Sequence, residues 1–310
     1  MQNINRAGYI YGILAFVIWG LAPIYFKALE GVSALEILAH RVAWSVPVVL
    51  LIMWAIKRPF PKNILQDKKT ISILIITSIL ISGNWLAFTW AVTNERVLET
   101  SLGYFINPLF SVALGIAFLK EKLTTWSKIA LILATLGVVY RIISLGSLPW
   151  ISLWLAFSFG LYGLLRKQVN IGPLQGLLVE TLIVLPITAG YILYLWYTET
   201  GAFLHTSVSI DWLLLAGGII TTVPLALFSA GARLLPLNTI GFMQYLAPSL
   251  TFLLAVFVFK EHFNTDLLIT FALIWAGLIV YTIGVVRQQN RKRLDRKAAA
   301  RLVENKLKEK

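Results

Sequence analysis

Apolar positions along this chain fall in long unbroken blocks, separated by short polar gaps. About 20 apolar residues are enough to cross a hydrocarbon core of about 30 Å as a helix. Ten blocks of roughly that length occur, at 8–26, 35–56, 70–92, 98–119, 126–144, 148–165, 176–197, 211–232, 238–259 and 266–286. The gaps are too short for a soluble domain. The pattern predicts an all-α polytopic membrane protein of ten transmembrane helices, with 8–26 as a first span rather than a cleaved leader. One block resists a simple reading. Thr100 to Gly115 runs TSLGYFINPLFSVALG, with Asn107 and Pro108 at its middle, where an unpaired amide or a lost backbone donor is costly.

Composition agrees with the pattern. The 310 residues are 58% hydrophobic and 13% charged, with a mean hydropathy of +0.78, whereas soluble domains carry about 25% charged residues. The net charge of +13 gathers in the gaps and one tail, so it follows membrane topology and not a nucleic-acid surface. With the N-terminus inside, the outer gaps hold only Lys27, Arg96, Arg141 and Lys260, while the inner gaps and the tail hold nearly all the rest. That asymmetry places both termini in the cytoplasm. No cysteine occurs, and His40, His205 and His262 stand apart. No H-E-x-x-H pair, phosphate-binding G-x-x-x-x-G-K-[ST] loop or G-x-S-x-G motif occurs, so ATP-driven transport by this chain alone is not expected.

The chain also resembles itself at an offset of 140 residues. Pro108 matches Pro248, Lys120-Glu121 matches Lys260-Glu261, and Gly137 matches Gly277. Each copy holds five spans, an odd number, so the second enters from the opposite side. Residues 1–145 and 146–286 thus read as two inverted five-helix repeats, followed by a basic tail at 287–310. Inverted repeats are a device of secondary transporters, where two related halves rock about a midplane site.

The stretches FVIWGLAPIYFK (16–27), EILAHRVAWS (36–45), GNWLAFTWAV (83–92), ETSLGYFINPLFSVALGIAFLKE (99–121), TTVPLALFSAGARLLPL (221–237) and FMQYLAPSLTFLLAVFVFKE (242–261) resemble the EamA-type branch of the drug/metabolite transporter superfamily, and within it the RarD family. The resemblance covers about 9–286. It implies ten helices, no bound cofactor, a central cavity near the midplane, and a small metabolite or drug as substrate. It provides no settled set of binding residues.

Candidate residues therefore rest on depth and chemistry. Tyr104, Asn107 and Ser111 share one face of the fourth span, with Gln244 and Thr251 on the matched face of the ninth. Pro108 and Pro248 weaken both helices near mid-span. These faces either line a substrate cavity or pack helix on helix through small and polar groups. Asn84 and Phe88 in the third span, Phe228 in the eighth, Trp19 in the first, Trp44 in the second and Tyr162 in the sixth are further cavity candidates. Charged groups inside spans are costly and informative. Arg41, beside His40, either attracts an anionic substrate or reaches the headgroups and Glu36. Glu180 either exchanges a proton or positions helices by hydrogen bonding. The two Lys-Glu pairs are expected to be solvated at helix ends.

The leading expectation is a secondary transporter of small organic molecules in the plasma membrane, working as an exporter. The alternatives are a membrane-embedded enzyme on lipid-linked molecules and a transport-silent partner protein. The basic tail is expected to lie on anionic lipid. A nucleic-acid or protein partner for that tail has no specific support.

Overall fold

A computed structural model describes residues 6–60, 67–93, 97–146, 150–258 and 265–308. Among them every regular element is helical: α1 (Arg6–Lys27), α2 (Ala34–Ala55), α3 (Lys68–Thr93), α4 (Val97–Leu119), α5 (Thr125–Leu145), α6 (Trp150–Gln168), α7 (Pro173–Thr198), α8 (Val208–Leu234), α9 (Leu237–Met243), α10 (Leu246–Leu253), a π-helical turn (Leu254–Val258) and α11 (Thr265–Lys308).

Local chemistry sets the helix ends. The Asp67 carboxylate accepts the amide N–H groups of Lys69 and Thr70 and the Thr70 hydroxyl at the start of α3. These bonds, that from the Thr70 hydroxyl foremost, favour the charged carboxylate and hold its pKa below the ordinary carboxylate range. Thr124 and Ser207 accept from the third amide on at the starts of α5 and α8, satisfying donors that a helix leaves unpaired. Pro173 begins α7, where its missing N–H costs nothing. Gly146 ends α5 at φ +70°, a left-handed turn that glycine adopts without strain.

Seven described helices are long and apolar enough to cross a membrane, and α4 adds the shorter apolar stretch Gly103–Leu119. Polar and apolar surfaces are arranged accordingly. Ser45, Thr77, Ser78, Ser152, Ser158 and Thr222 are completely buried, whereas Trp54, Ile143, Ile187 and Tyr197 are more than 70% exposed on the outer faces of their helices. In water such apolar exposure would drive aggregation; in lipid it is the solvated surface.

The ninth apolar block is not one helix. It breaks at Gln244-Tyr245 between α9 and α10, one turn before Pro248, and passes into the π-helical turn. Its expected counterpart α4 stays continuous through Pro108. The weakening expected at the two prolines is thus a break in one helix and not in the other. Residues Lys260-Glu261 lie outside the described residues. The expected tail at 287–310 continues α11 as helix as far as Lys308.

Two apolar cores organise the bundle. One joins Phe16 of α1, Val49 of α2, Tyr162 of α6, Leu178 of α7 and Phe228 of α8. The other joins Phe105 of α4, Ala130 and Ala134 of α5, Phe242 of α9 and Phe271 and Ile274 of α11. The closest crossings use glycine. On α5, Gly137 abuts Thr270, Leu273 and Ile274 of α11, and on α11, Gly277 abuts Ala130, Leu133 and Ala134 of α5. Gly20 of α1 abuts Ala247 and Leu250 of α10, and Gly160 of α6 abuts Phe110 and Leu114 of α4. Small residues let helices approach in lipid, where packing and not water expulsion drives association.

Candidate functional site

The expected polar residues fall into three groups. The first surrounds Arg41, eight residues into α2. Its Nε donates to Thr221 Oγ1 of α8 at 2.9 Å. Its guanidinium lies over the rings of Phe26 (5.3 Å) and Trp85 (5.0 Å), contacts that favour a cation on an aromatic face. Phe26 touches Phe88, and Phe88 touches Tyr104. Tyr104 is 43% exposed although it stands in this ring chain, and both it and Tyr25 are within electrostatic reach of Arg41. The Tyr25 hydroxyl donates to the Leu213 carbonyl.

Arg41 does not pair with Glu36, the partner considered from the sequence. Glu36 is buried, and its Oε1 accepts the backbone N–H groups of Ala202 and Phe203 at 2.7 and 2.9 Å. It anchors the α7–α8 connection onto α2. There Phe203 covers His40, whose Nδ1 accepts from Trp44 Nε1. His40 and Trp44 thus support this end of the bundle, next to Arg41.

The second group surrounds Glu180 in α7. Its Oε1 accepts from Thr77 Oγ1 of α3 at 2.6 Å and lies 3.6 Å from Arg166 Nε of α6, and Tyr162 Oη approaches Oε2 at 3.5 Å. Arg166 and Glu180 are both buried. Arg166 had been counted with the charged gap residues. It lies instead in the last turn of α6, where Nη2 donates to the Pro173 carbonyl. Ser229 of α8 is buried among these residues. Tyr162 and Phe228 are sealed in the first core, and Trp19 packs on Phe159 and Phe228.

The third group joins α4 to the broken helix. Gln244 Nε2 donates to Ser111 Oγ at 2.9 Å, and both are buried. Asn107 is buried one turn away, and its Oδ1 has no hydrogen-bond partner among the described residues. The Pro108 carbonyl faces Gly241. Thr251 Oγ1 donates to the Gly20 carbonyl at 3.3 Å. Asn84 belongs to none of these groups: its Nδ2 donates to the Leu155 carbonyl and to Ser158 Oγ, clamping α3 to α6. We expect Asn84→Ala to cost about 1 kcal/mol, the usual scale for interhelical bonds in lipid, seen as a lower midpoint in thermal unfolding of the detergent-solubilised protein.

Sequence reasoning missed Thr221, Tyr25, Phe26, Arg166 and Glu121 as site residues. Arg166 was detectable, because Arg and Glu flank one short connection between apolar blocks. Glu121 was expected to be solvated. It is largely buried, and its Oε1 accepts from the Leu237 N–H at 2.6 Å and from Lys167 Nζ at 3.4 Å. Lys167 also donates to the Leu235 carbonyl. This cluster ties the α4–α5 connection, the end of α6 and the α8–α9 linker together.

A bundle with an apolar exterior, buried hydroxyls and charges at depth is a multi-pass membrane protein. Residues 6–142 match the EamA-like transporter family. The chain is 42% identical over 288 residues to Protein RarD of Escherichia coli (strain K12), spanning 93% of this chain and 97% of that one. It is 41% identical over 289 residues to the uncharacterized transporter YojE of Bacillus subtilis (strain 168), spanning 91% and 96%. It is 31% identical over 285 residues to the chloramphenicol-sensitive protein RarD of Pseudomonas aeruginosa, spanning 90% and 94%. A solved crystal structure shares the fold with a TM-score of 0.68 at 17% identity, covering 91% of this chain and 99% of its own. The chain belongs to the RarD family of EamA-like transporters, within the drug/metabolite transporter superfamily.

Proposed function

We propose that this membrane transporter is a secondary exporter of small organic metabolites or drugs, working by alternating access between two inverted five-helix repeats, 1–145 and 146–286. In this reading α9, α10 and the π-helical turn together form the ninth of ten spans, and both termini are cytoplasmic in the plasma membrane. The observation that carries it is the reciprocity of the close crossings. Gly137 meets Thr270, Leu273 and Ile274, while Gly277 meets Ala130, Leu133 and Ala134; each set is the other shifted by 140 residues. Gly20 against Leu250 and Gly160 against Phe110 repeat the relation. A chain of two copies related by a two-fold axis produces such exchanges, and unrelated halves have no reason to.

The same offset relates the depth of His40, beside Arg41, to that of Glu180. The two polar groups then approach the midplane from opposite membrane faces. Tyr104, Phe88 and Arg41 line one side of the pathway. Asn107, Ser111, Gln244 and Thr251 hold the junction of the halves, where bonds such as Ser111–Gln244 exchange as the halves rock. The Glu121–Lys167 cluster closes the cytoplasmic end, and the basic tail rests on anionic lipid.

Flux measured in proteoliposomes across a panel of amino acids, organic acids, amines and amphenicol drugs tests this. Saturable flux of at least one compound is expected without ATP. Absence of flux for the whole panel, with and without a pH gradient, counts against transport and in favour of a silent partner protein.

A further inference from the structure

Two of the buried arginines, Arg166 and Arg41, are treated differently. Arg166 has a carboxylate, Glu180, at 3.6 Å. Arg41, 8% exposed, has none within 4 Å among the described residues; its side chain's only hydrogen bond among them is from Nε to Thr221. Its Nη1 and Nη2 have no acceptor among the described residues. An arginine in an apolar bundle is retained against a desolvation cost of several kcal/mol. The faces of Phe26 and Trp85 offset part of that cost but leave the planar donor fork unused. That fork matches a carboxylate in two parallel bonds.

The surroundings restrict what the carboxylate is attached to. Phe26, Phe88 and Tyr104 form a continuous run of rings beside the guanidinium. Tyr104 offers 43% of its surface, and its hydroxyl has no partner among the described residues. A flat apolar body packs on such rings, and one hydroxyl within electrostatic reach of one guanidinium suits one negative charge.

We infer that Arg41 is the recognition residue for an organic monocarboxylate, which stacks its apolar body on Phe88 and Tyr104 and accepts bonds from the Arg41 Nη groups and the Tyr104 hydroxyl. The inference deepens the transport reading and rests on it for the role of the site, but binding is measurable without flux. The purified full chain in nanodiscs is titrated with benzoate, 3-phenylpropionate and indole-3-acetate, with the matched primary amide of each, and with inorganic phosphate. Intrinsic tryptophan fluorescence and thermal midpoint are the readouts.

At least one carboxylate is expected to bind tenfold or more tightly than its amide, with phosphate inert. Arg41→Gln removes that preference while leaving the amide's weak binding unchanged, Arg41→Lys recovers part of it, and Tyr104→Phe weakens the carboxylate three- to tenfold. If Arg41→Gln does not fold, the wild-type carboxylate-to-amide contrast and the Tyr104→Phe titration decide. Equal binding of acid and amide, binding of none of the acids, or a folded Arg41→Gln protein that keeps the preference overturns the site. Flux of a neutral compound without carboxylate binding removes the site and leaves transport standing. Carboxylate binding without flux of any compound does the reverse.

Discussion

Replacing Glu180 with Gln is expected to lower stability by about 3–5 kcal/mol, the scale of breaking one side of a buried ion pair. Gln keeps the shape and can still accept from Thr77, so the loss is assigned to the charge. Arg166 is left buried, with its Nε and Nη1 already without hydrogen bonds among the described residues. Thermal unfolding in micelles, followed by tryptophan fluorescence, measures the effect. The double variant Glu180→Gln/Arg166→Met is expected to recover part of the loss, because it removes the stranded charge together with its partner. The same variant separates the two roles considered for Glu180. A proton carrier predicts loss of gradient-driven flux with exchange retained. A positioning carboxylate predicts that both fall together as α3, α6 and α7 loosen.

Gly218→Ala is expected to be a strongly damaging methyl addition, costing about 1–3 kcal/mol as overpacking does. A Cβ there would lie 2.4 Å from both the carbonyl carbon and oxygen of Trp44. Backbone cannot swing aside as a side-chain end can, so α2 and α8 must separate. Thr221 stands three residues along α8 from Gly218, so the separation also pulls at its bond to Arg41, and carboxylate binding should weaken with stability. Gly190→Ala in α7 is the control. Nothing lies within 4 Å of a Cβ at that position, and alanine gains up to about 1 kcal/mol of helix propensity there. An equal fall in midpoint for the two variants would sink the close-crossing account of α2 and α8.

Much of the architecture was legible without coordinates, because a lipid solvent writes itself into sequence as block length. Every described helix longer than ten residues overlaps an apolar block, α11 running on past its block to Lys308, and only the ninth block divides. The division had a signal, Pro248, but a proline near mid-block signals weakening and not whether the helix kinks or breaks. Pro108 sits in a continuous helix and Pro248 one turn past a break, so neighbouring packing decided between them.

The candidate site was legible by residue type and not by partnership. Arg41, Glu180, Tyr104, Asn107 and Gln244 stand out as polar groups at depth in apolar runs. Their partners come from helices distant in sequence, such as Thr221 for Arg41 and Thr77 for Glu180, and no spacing rule connects them. Glu36 and Glu121 show the reverse error. Glu121 reads as solvated and Glu36 as a partner for Arg41, yet each is turned inward and accepts from the backbone of a distant connection.

The sequence by itself determined that the chain lives in a membrane, how many apolar blocks it has and that it contains a 140-residue internal echo. These follow from the cost of placing polar groups in hydrocarbon, which acts residue by residue. Only the tertiary structure decided which buried charge finds a counter-charge. It gave Arg166 a carboxylate and left Arg41 with aromatic faces and an unused donor fork, because ion pairing depends on distances across helices that a one-dimensional pattern does not contain.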